Sequence, residues 1–250
     1  MSFHAHPDDE ALMTGGTLAR VASEGHRVVL VTATDGAAGL TSPGLRPDLA
    51  RRRREELEAA AAHLGVARVV LLGHPDGQFA DVGVDAPAAE LAAVLREESA
   101  DVLTGYDEHG GYGHPDHVHV HHVARRARAL ARTPVLLEAS VDRPWLVRAD
   151  RVLRRVPGIP ALDPATRERV YLARGELTHR VDVRRQVPDK RAALLAHRSQ
   201  TSGGPTLRTV SLLGRLPRPV ATWVLGHEWF REVGRPAGPV LLDDVFASLR

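Results

Sequence analysis

Five short runs of strand character alternate with four helical stretches across the first 140 residues, and that rhythm leaves few architectures open. The runs are Ser2 to Ala5, His26 to Thr34 (HRVVLVTAT), Arg68 to Leu72, Asp101 to Tyr106 and Pro134 to Ala139. Helices are predicted over Ala11 to Ser23, with Gly25 as C-cap, and over Pro47 to Leu64, Ala86 to Glu98 and His114 to Ala131. Continuous apolar strands separated by helices are buried on both faces. The pattern therefore predicts an α/β fold, a Rossmann-like parallel sheet with helices on both faces. Sheets of this kind bind ligands at the carboxyl ends of their strands.

After about Val141 the rhythm breaks, and prolines and arginines become frequent. Strands near Val170 to Leu172 and at Thr178 to Val183, a helix from Pro188 to Ser199 and a loop from Thr201 to Pro205 are expected. His227, Trp229 and Phe230 read as a lid or an interface patch. With 250 residues and no internal repeat, the chain reads as one domain over 1–250. Residues 1–140 form the parallel core, and 141–250 a C-terminal extension that shapes the pocket.

The chain has no cysteine, so disulfides, thiolate metal sites and a cysteine nucleophile are excluded. Metal ligands must come from His, Asp or Glu, and there are 14 histidines, several of them clustered. The isoelectric point of about 9.5 accompanies a formal net charge of only +2. It reflects arginine's high pKa, since Lys190 is the sole lysine. With aromatics at 4% and no recognised motif, no nucleic-acid partner is expected. The absence of an 18-residue apolar run argues against a membrane span. The opening MSFHAHPDDE lacks a signal-peptide pattern, so a cytoplasmic protein is expected. Homo-oligomerisation stays open.

Two clusters carry chemistry. His6-Pro7-Asp8-Asp9-Glu10 follows the first strand, where Pro7 ends the ladder. Three acids beside a histidine repel one another unless something positive lies between them, and a divalent cation would serve. First-turn helix capping explains the acids equally well. The second cluster, DEHGGYGHPDHVHVHH from Asp107 to His122, follows the fourth strand and lies on the same sheet edge. His6, Asp9 and His117 then make two imidazoles and one carboxylate with an open position, a catalytic zinc pattern that also suits ferrous iron. His117 and His121 are an alternative helical pair. His119, His121 and His122 read as packing histidines, His4 as a core histidine, and His197 as a residue able to reach the pocket without binding metal. Asp35 and Asp76, each before a glycine near a strand end, fit sugar contacts or turn chemistry.

The motifs AHPDDE (Ala5 to Glu10) and GGYGHPDH (Gly110 to His117) resemble those of the LmbE-like deacetylases. That family includes the N-acetylglucosaminyl-phosphatidylinositol (PIG-L) and mycothiol-pathway deacetylases. Arg53-x-x-Glu56-Leu57, LLGHPDG (Leu71 to Gly77) and AHRSQ (Ala196 to Gln200) support the resemblance. It implies zinc on His6, Asp9 and His117, and Asp8 as general base toward water. It implies His114 as general acid for the leaving amine, with Asp116 orienting that imidazole and raising its pKa. Tyr112 would steady the oxyanion and Arg53 would touch substrate. The implied activity is zinc-dependent removal of an N-acetyl group from an amino-sugar, either a glucosaminyl-inositol or a glycosylated natural product. An amidase acting on a larger conjugate such as a mycothiol thioether is the alternative enzyme, and a metal-bearing binding module the alternative outside catalysis.

Overall fold

The computed structural model describes residues 1–37, 48–155, 170–199 and 212–250. In chain order the elements are β1 (Ser2–His4), α1 (Asp9–Met13), α2 (Gly15–Ser23), β2 (Val29–Thr34), α3 (Leu49–His63), β3 (Arg68–His74), α4 (Asp85–Glu97) and β4 (Val102–Tyr106). There follow a single turn, α5 (Gly110–Gly113), then α6 (Pro115–Ala131), β5 (Val135–Ser140), α7 (Arg143–Leu153), β6 (His179–Asp182), α8 (Val187–Ala196), α9 (Arg218–Leu225) and β7 (His227–Glu232). Among the described residues, seven strands form one sheet in the order β3-β2-β1-β4-β5-β7-β6.

The five strands expected from the sequence are present and parallel to one another. The sheet as a whole is mixed, because β7 runs antiparallel to β5 and β6 antiparallel to β7. Side chains alternate between the two faces, as the two-residue period of a strand requires. Val29, Val31 and Leu103 pack with Leu91 of α4 and Val120 of α6 on one face. Val102, Val135 and Leu137 pack with Leu18 of α2 and Leu194 of α8 on the other. The chain winds from β1 outward to β3, then returns to lay β4 on the other side of β1. The carboxyl ends of β1 and β4 therefore flank the point where strand order reverses, the place such sheets reserve for ligands.

The later chain departs from expectation. His227, Trp229 and Phe230 are neither lid nor patch. They lie in β7, where Trp229 and Phe230 are 3% and 0% exposed. Near Val170 to Leu172 only an isolated bridge between Asp142 and Leu172 forms, and α7 had no counterpart in the sequence pattern. The loop expected at Thr201 to Pro205 lies outside the described residues, as do Pro47 and Gln200. The helix expected over Ala11 to Ser23 is two helices broken at Thr14. At the break, Gly16 and Thr17 donate their backbone N–H groups to the Glu228 carboxylate of β7, at 2.8 and 2.7 Å. Lys190 of α8 pairs with the same carboxylate at 2.5 Å. A buried carboxylate at a helix N-terminus satisfies donors that would otherwise be orphaned, and it complements the helix dipole. A β-carbon at Gly16 would lie 2.5 Å from Val183, so glycine is needed for this close approach. Among the described residues no helix is long and apolar enough to cross a membrane.

Candidate active site

His6, Asp8 and Asp9 leave β1 on a turn whose geometry is strained. Asp8 has φ 133° and ψ −26°, a region that non-glycine residues rarely occupy and that costs about 1–3 kcal/mol. Three contacts hold it there. Arg53 of α3, 3% exposed, donates to the Pro7 carbonyl at 2.7 Å and pairs with the Asp8 carboxylate at 3.2 Å. The Asp8 N–H donates to Glu10 Oε2 at 2.9 Å. Glu10, fully buried, is in turn paired with His197 at 2.7 Å. Arg53 also donates to the Gly36 carbonyl at 2.7 Å, and a β-carbon at Gly36 would sit 2.6 Å from its guanidinium.

On the β4 side, buried Asp107 shapes the glycine loop. It accepts from the backbone N–H groups of His109 and Gly111, and from Ser140 Oγ. Gly110 has φ +59°, and a β-carbon there would lie 2.6 Å from Val118 N. The loop delivers the chain to α6. His114 caps that helix, its Nδ1 accepting from Asp116 N–H at 3.2 Å.

These elements bring three ligand atoms together. His6 Nδ1, Asp9 Oδ2 and His117 Nε2 lie 3.4, 3.3 and 3.3 Å apart around the triangle. A tetrahedral ion with bonds of about 2.0–2.1 Å has ligand–ligand edges of about 3.3–3.4 Å. The outer nitrogens fix where the protons sit. His6 Nε2 faces Asp76 at 3.1 Å and Asp116 at 3.2 Å, and His117 Nδ1 faces the Gly110 carbonyl at 3.2 Å. All of these partners only accept, so each outer nitrogen carries its ring's proton and each inner nitrogen presents a lone pair. Two lone pairs and a carboxylate oxygen at such distances call for a cation. Burial opposes charge on His6, but hydrogen bonds to Asp116, Asp76 and Asp9 prevail and push its pKa up to about 12. Asp9 is held well below the usual carboxylate range by His117 and His6 against the opposing effect of burial. The same negative field that would hold a proton there favours a divalent ion.

Asp8 behaves in the opposite way. Burial pushes it up to about 6, with Asp9 adding to the rise and Arg53 opposing it. Tyr112 is exposed, its ring centroid 5.0 Å from that of His117 and 6.2 Å from that of His114. Its phenol is raised above its ordinary value by desolvation and by the carboxylates of Asp9 and Asp8. His114 is lowered by burial and by the neighbouring His117 and His6.

Several expectations need correction. Asp116 does not orient His114. Its carboxylate accepts from Gly77 N–H and Ala80 N–H at 3.0 Å and faces His6; it lies near His114 and opposes the lowering of that ring's pKa, but the hydrogen bond to His114 comes from the Asp116 backbone N–H. Arg53 and Asp76, expected on substrate, are engaged with the Pro7–Asp8 turn and with His6. Asp35 accepts from Ala37 N–H, which is turn chemistry. His121 faces Glu138 at 3.1 Å and does not pair with His117. Glu10 went unassigned in the sequence, although a third acid beside Asp8 and Asp9 signals a buried cationic partner.

The GlcNAc-PI de-N-acetylase (PIG-L) family model matches residues 1–128. A 1D-myo-inositol 2-acetamido-2-deoxy-alpha-D-glucopyranoside deacetylase of Thermobispora bispora is 35% identical, over 98% of this chain and 97% of the relative. Among solved structures, N,N'-diacetylchitobiose deacetylase from Pyrococcus horikoshii superposes with a TM-score of 0.62 at 22% identity, covering 93% of this chain and 82% of that one. A 4-carboxy-2-hydroxymuconate hydratase from Pseudomonas putida superposes with a TM-score of 0.64 at 19% identity, over 96% and 98%. The fold is thus shared with a different chemistry, and the motifs and the relative at 35% identity carry the assignment. This chain belongs to the GlcNAc-PI de-N-acetylase (PIG-L) family and is a deacetylase, a hydrolase of amide bonds.

Proposed function

We propose that the enzyme removes the N-acetyl group of an amino-sugar, a glucosaminyl-inositol or a related glycoside, with zinc held by His6, Asp9 and His117. The observation that carries this reading is the ligand triangle with Asp8 beside it. A divalent ion bound there supplies Lewis acidity, acidifying water and polarising the acetyl carbonyl. Asp8, ionised near neutrality and adjacent to the triangle, takes the proton of the attacking water. As the water oxygen bonds to the carbonyl carbon, negative charge gathers on the carbonyl oxygen. The Tyr112 hydroxyl, kept protonated, donates toward it. The C–N bond then breaks, and the departing nitrogen needs a proton. Asp8, carrying the water proton and pushed up to about 6, has the pKa suited to deliver it there. His114 enters as a neutral ring whose Nδ1 accepts from Asp116 N–H, so its one proton is on Nε2, which steadies the developing charge as a hydrogen-bond donor.

Asp116 and Asp76 act through His6, fixing its tautomer and strengthening its basicity. Glu10, backed by His197, holds the Asp8 N–H, and Arg53 holds the Pro7 carbonyl and the Asp8 carboxylate. We read the chain as one catalytic unit in which 141–250 completes the site, since His197 reaches Glu10 and Tyr171 N–H donates to the Gly111 carbonyl at 2.9 Å. The test is free-amine release from N-acetylglucosaminyl-inositol and from a panel of N-acetyl glucosaminides by zinc-loaded protein. The reading predicts amine release that a chelator abolishes and zinc restores. No release from any N-acetyl amino-sugar by protein shown to hold zinc would contradict it.

A further inference from the structure

A buried ion network that the reaction above does not use reaches the loop carrying Tyr112. Glu138 of β5 is 1% exposed. Its Oε1 accepts from Arg125 Nε of α6 at 2.8 Å and faces His121 Nδ1, also of α6, at 3.1 Å. Its Oε2 accepts from Arg231 of the neighbouring β7, from Nε at 2.8 Å and from Nη2 at 2.5 Å. The far side of the same guanidinium turns to Glu108, donating from Nη1 to Oε1 at 3.1 Å and from Nη2 to Oε2. Arg231 therefore joins a carboxylate inside the sheet to one in the loop that follows β4, 123 positions away in sequence.

Stability alone gives no reason for this arrangement. Burying a carboxylate is costly, and apolar residues in place of a buried ionic network are often as stable or more so. What the network supplies is a fixed point. The loop from Asp107 to Gly113 contains Gly110, Gly111 and Gly113 at φ 59°, 70° and 90°. Glycine backbone is permissive, so the conformation of such a loop depends on its anchors. Ser140 Oγ holds Asp107, and the Tyr171 N–H holds the Gly111 carbonyl at 2.9 Å. Arg231 adds an ionic anchor at Glu108, whose side chain meets no other partner among the described residues. Tyr112 is 48% exposed, and its hydroxyl has no hydrogen-bond partner among the described residues. Its place beside His117 is set by the backbone that carries it. An arginine suits the task, because its planar fork serves two carboxylates at once and a lysine ammonium does not.

We propose that Arg231 is a positioning residue for the reaction: held by Glu138, it clamps Glu108 and so fixes the glycine loop on which Tyr112 stands. This rests on the reading above, in which the Tyr112 hydroxyl donates to the carbonyl oxygen. The test is steady-state kinetics at saturating zinc of Glu108→Ala, Arg231→Lys, Tyr112→Phe and the Glu108→Ala, Tyr112→Phe double variant. Glu108→Ala removes an exposed side chain, so its thermal midpoint should stay near that of wild type. Its kcat should fall about tenfold with KM unchanged, since a reacting group misplaced by about 1 Å can cost about 100-fold. Arg231→Lys should show a similar loss. In the Tyr112→Phe background Glu108→Ala should cost little more, because the hydroxyl it positions is gone. Wild-type kcat in both Glu108→Ala and Arg231→Lys would overturn the proposal. So would a loss as large in the Tyr112→Phe background as in wild type, which is what a merely structural clamp gives. Failure of the reaction reading looks different, because Tyr112→Phe would then itself keep the wild-type kcat.

Discussion

The floor and the rim of this site are built to opposite specifications. On the floor the ligands are held by matched partners: His6 by Asp116 and Asp76, His117 by the Gly110 carbonyl, and Asp9 by the His6 N–H. On the rim the reacting groups are left with capacity. Asp8 keeps a partly exposed carboxylate beside one arginine, His114 presents Nε2 and Tyr112 is open to solvent. Adjacent carboxylates in the chain accordingly move apart, Asp9 well below the usual range and Asp8 up to about 6. Pairs of acids whose environments separate their pKa values divide binding from proton transfer between them. The floor is buried and paired because its task is geometry. The rim is unsaturated because its task is to exchange protons with a substrate.

The largest expected effect breaks the floor. Asp9→Ala should abolish metal binding and lower kcat/KM by about 10³-fold or more, since several kcal/mol of charge stabilisation go with the ion. Metal analysis and steady-state kinetics check this together. Breaking the rim should give the converse pattern. Asp8→Asn should keep its metal yet lose about 10²- to 10⁴-fold in kcat. His114→Ala should cost about 10²-fold in kcat with metal unchanged, and an unaltered kcat would remove His114 from the reaction. Asp116→Asn sharpens the division. If its carboxylate serves His6, metal affinity should drop about 10- to 100-fold, whereas an effect on kcat alone at saturating metal would return it to His114. The smallest effect is in pH. Asp8 works as a base only when ionised, and its pKa is raised, so activity is present above about pH 6 and lost as pH falls through that value. The loss should approach tenfold per unit on the acid limb. Protons compete with the metal at His6 as pH falls, so the profile is read at saturating zinc, where metal content should hold while activity falls.

The parallel half of the molecule was legible because its signals are local. Strand runs such as Val29–Thr34 are apolar or β-branched throughout, and the motifs that supply His6, Asp9 and His117 follow β1 and β4. What escaped depends on distant partners. The break at Thr14 follows from Glu228, 212 residues from Gly16. β7 reads as an isolated aromatic patch until β5 and β6 flank it. Asp116 was assigned to His114 on the resemblance alone, yet its carboxylate is hydrogen-bonded to His6, 110 positions away, a pairing no local signal gives.

The most direct test of the account is the metal content of purified wild-type protein beside its His117→Ala variant, by elemental analysis. The account predicts about one divalent ion per chain in wild type, with zinc preferred when supplied, and its loss in the variant, whose fold is checked by circular dichroism. Wild type that takes up no metal when zinc is supplied, or a folded variant that retains it in full, would contradict the assignment of His6, Asp9 and His117 as the centre of the site.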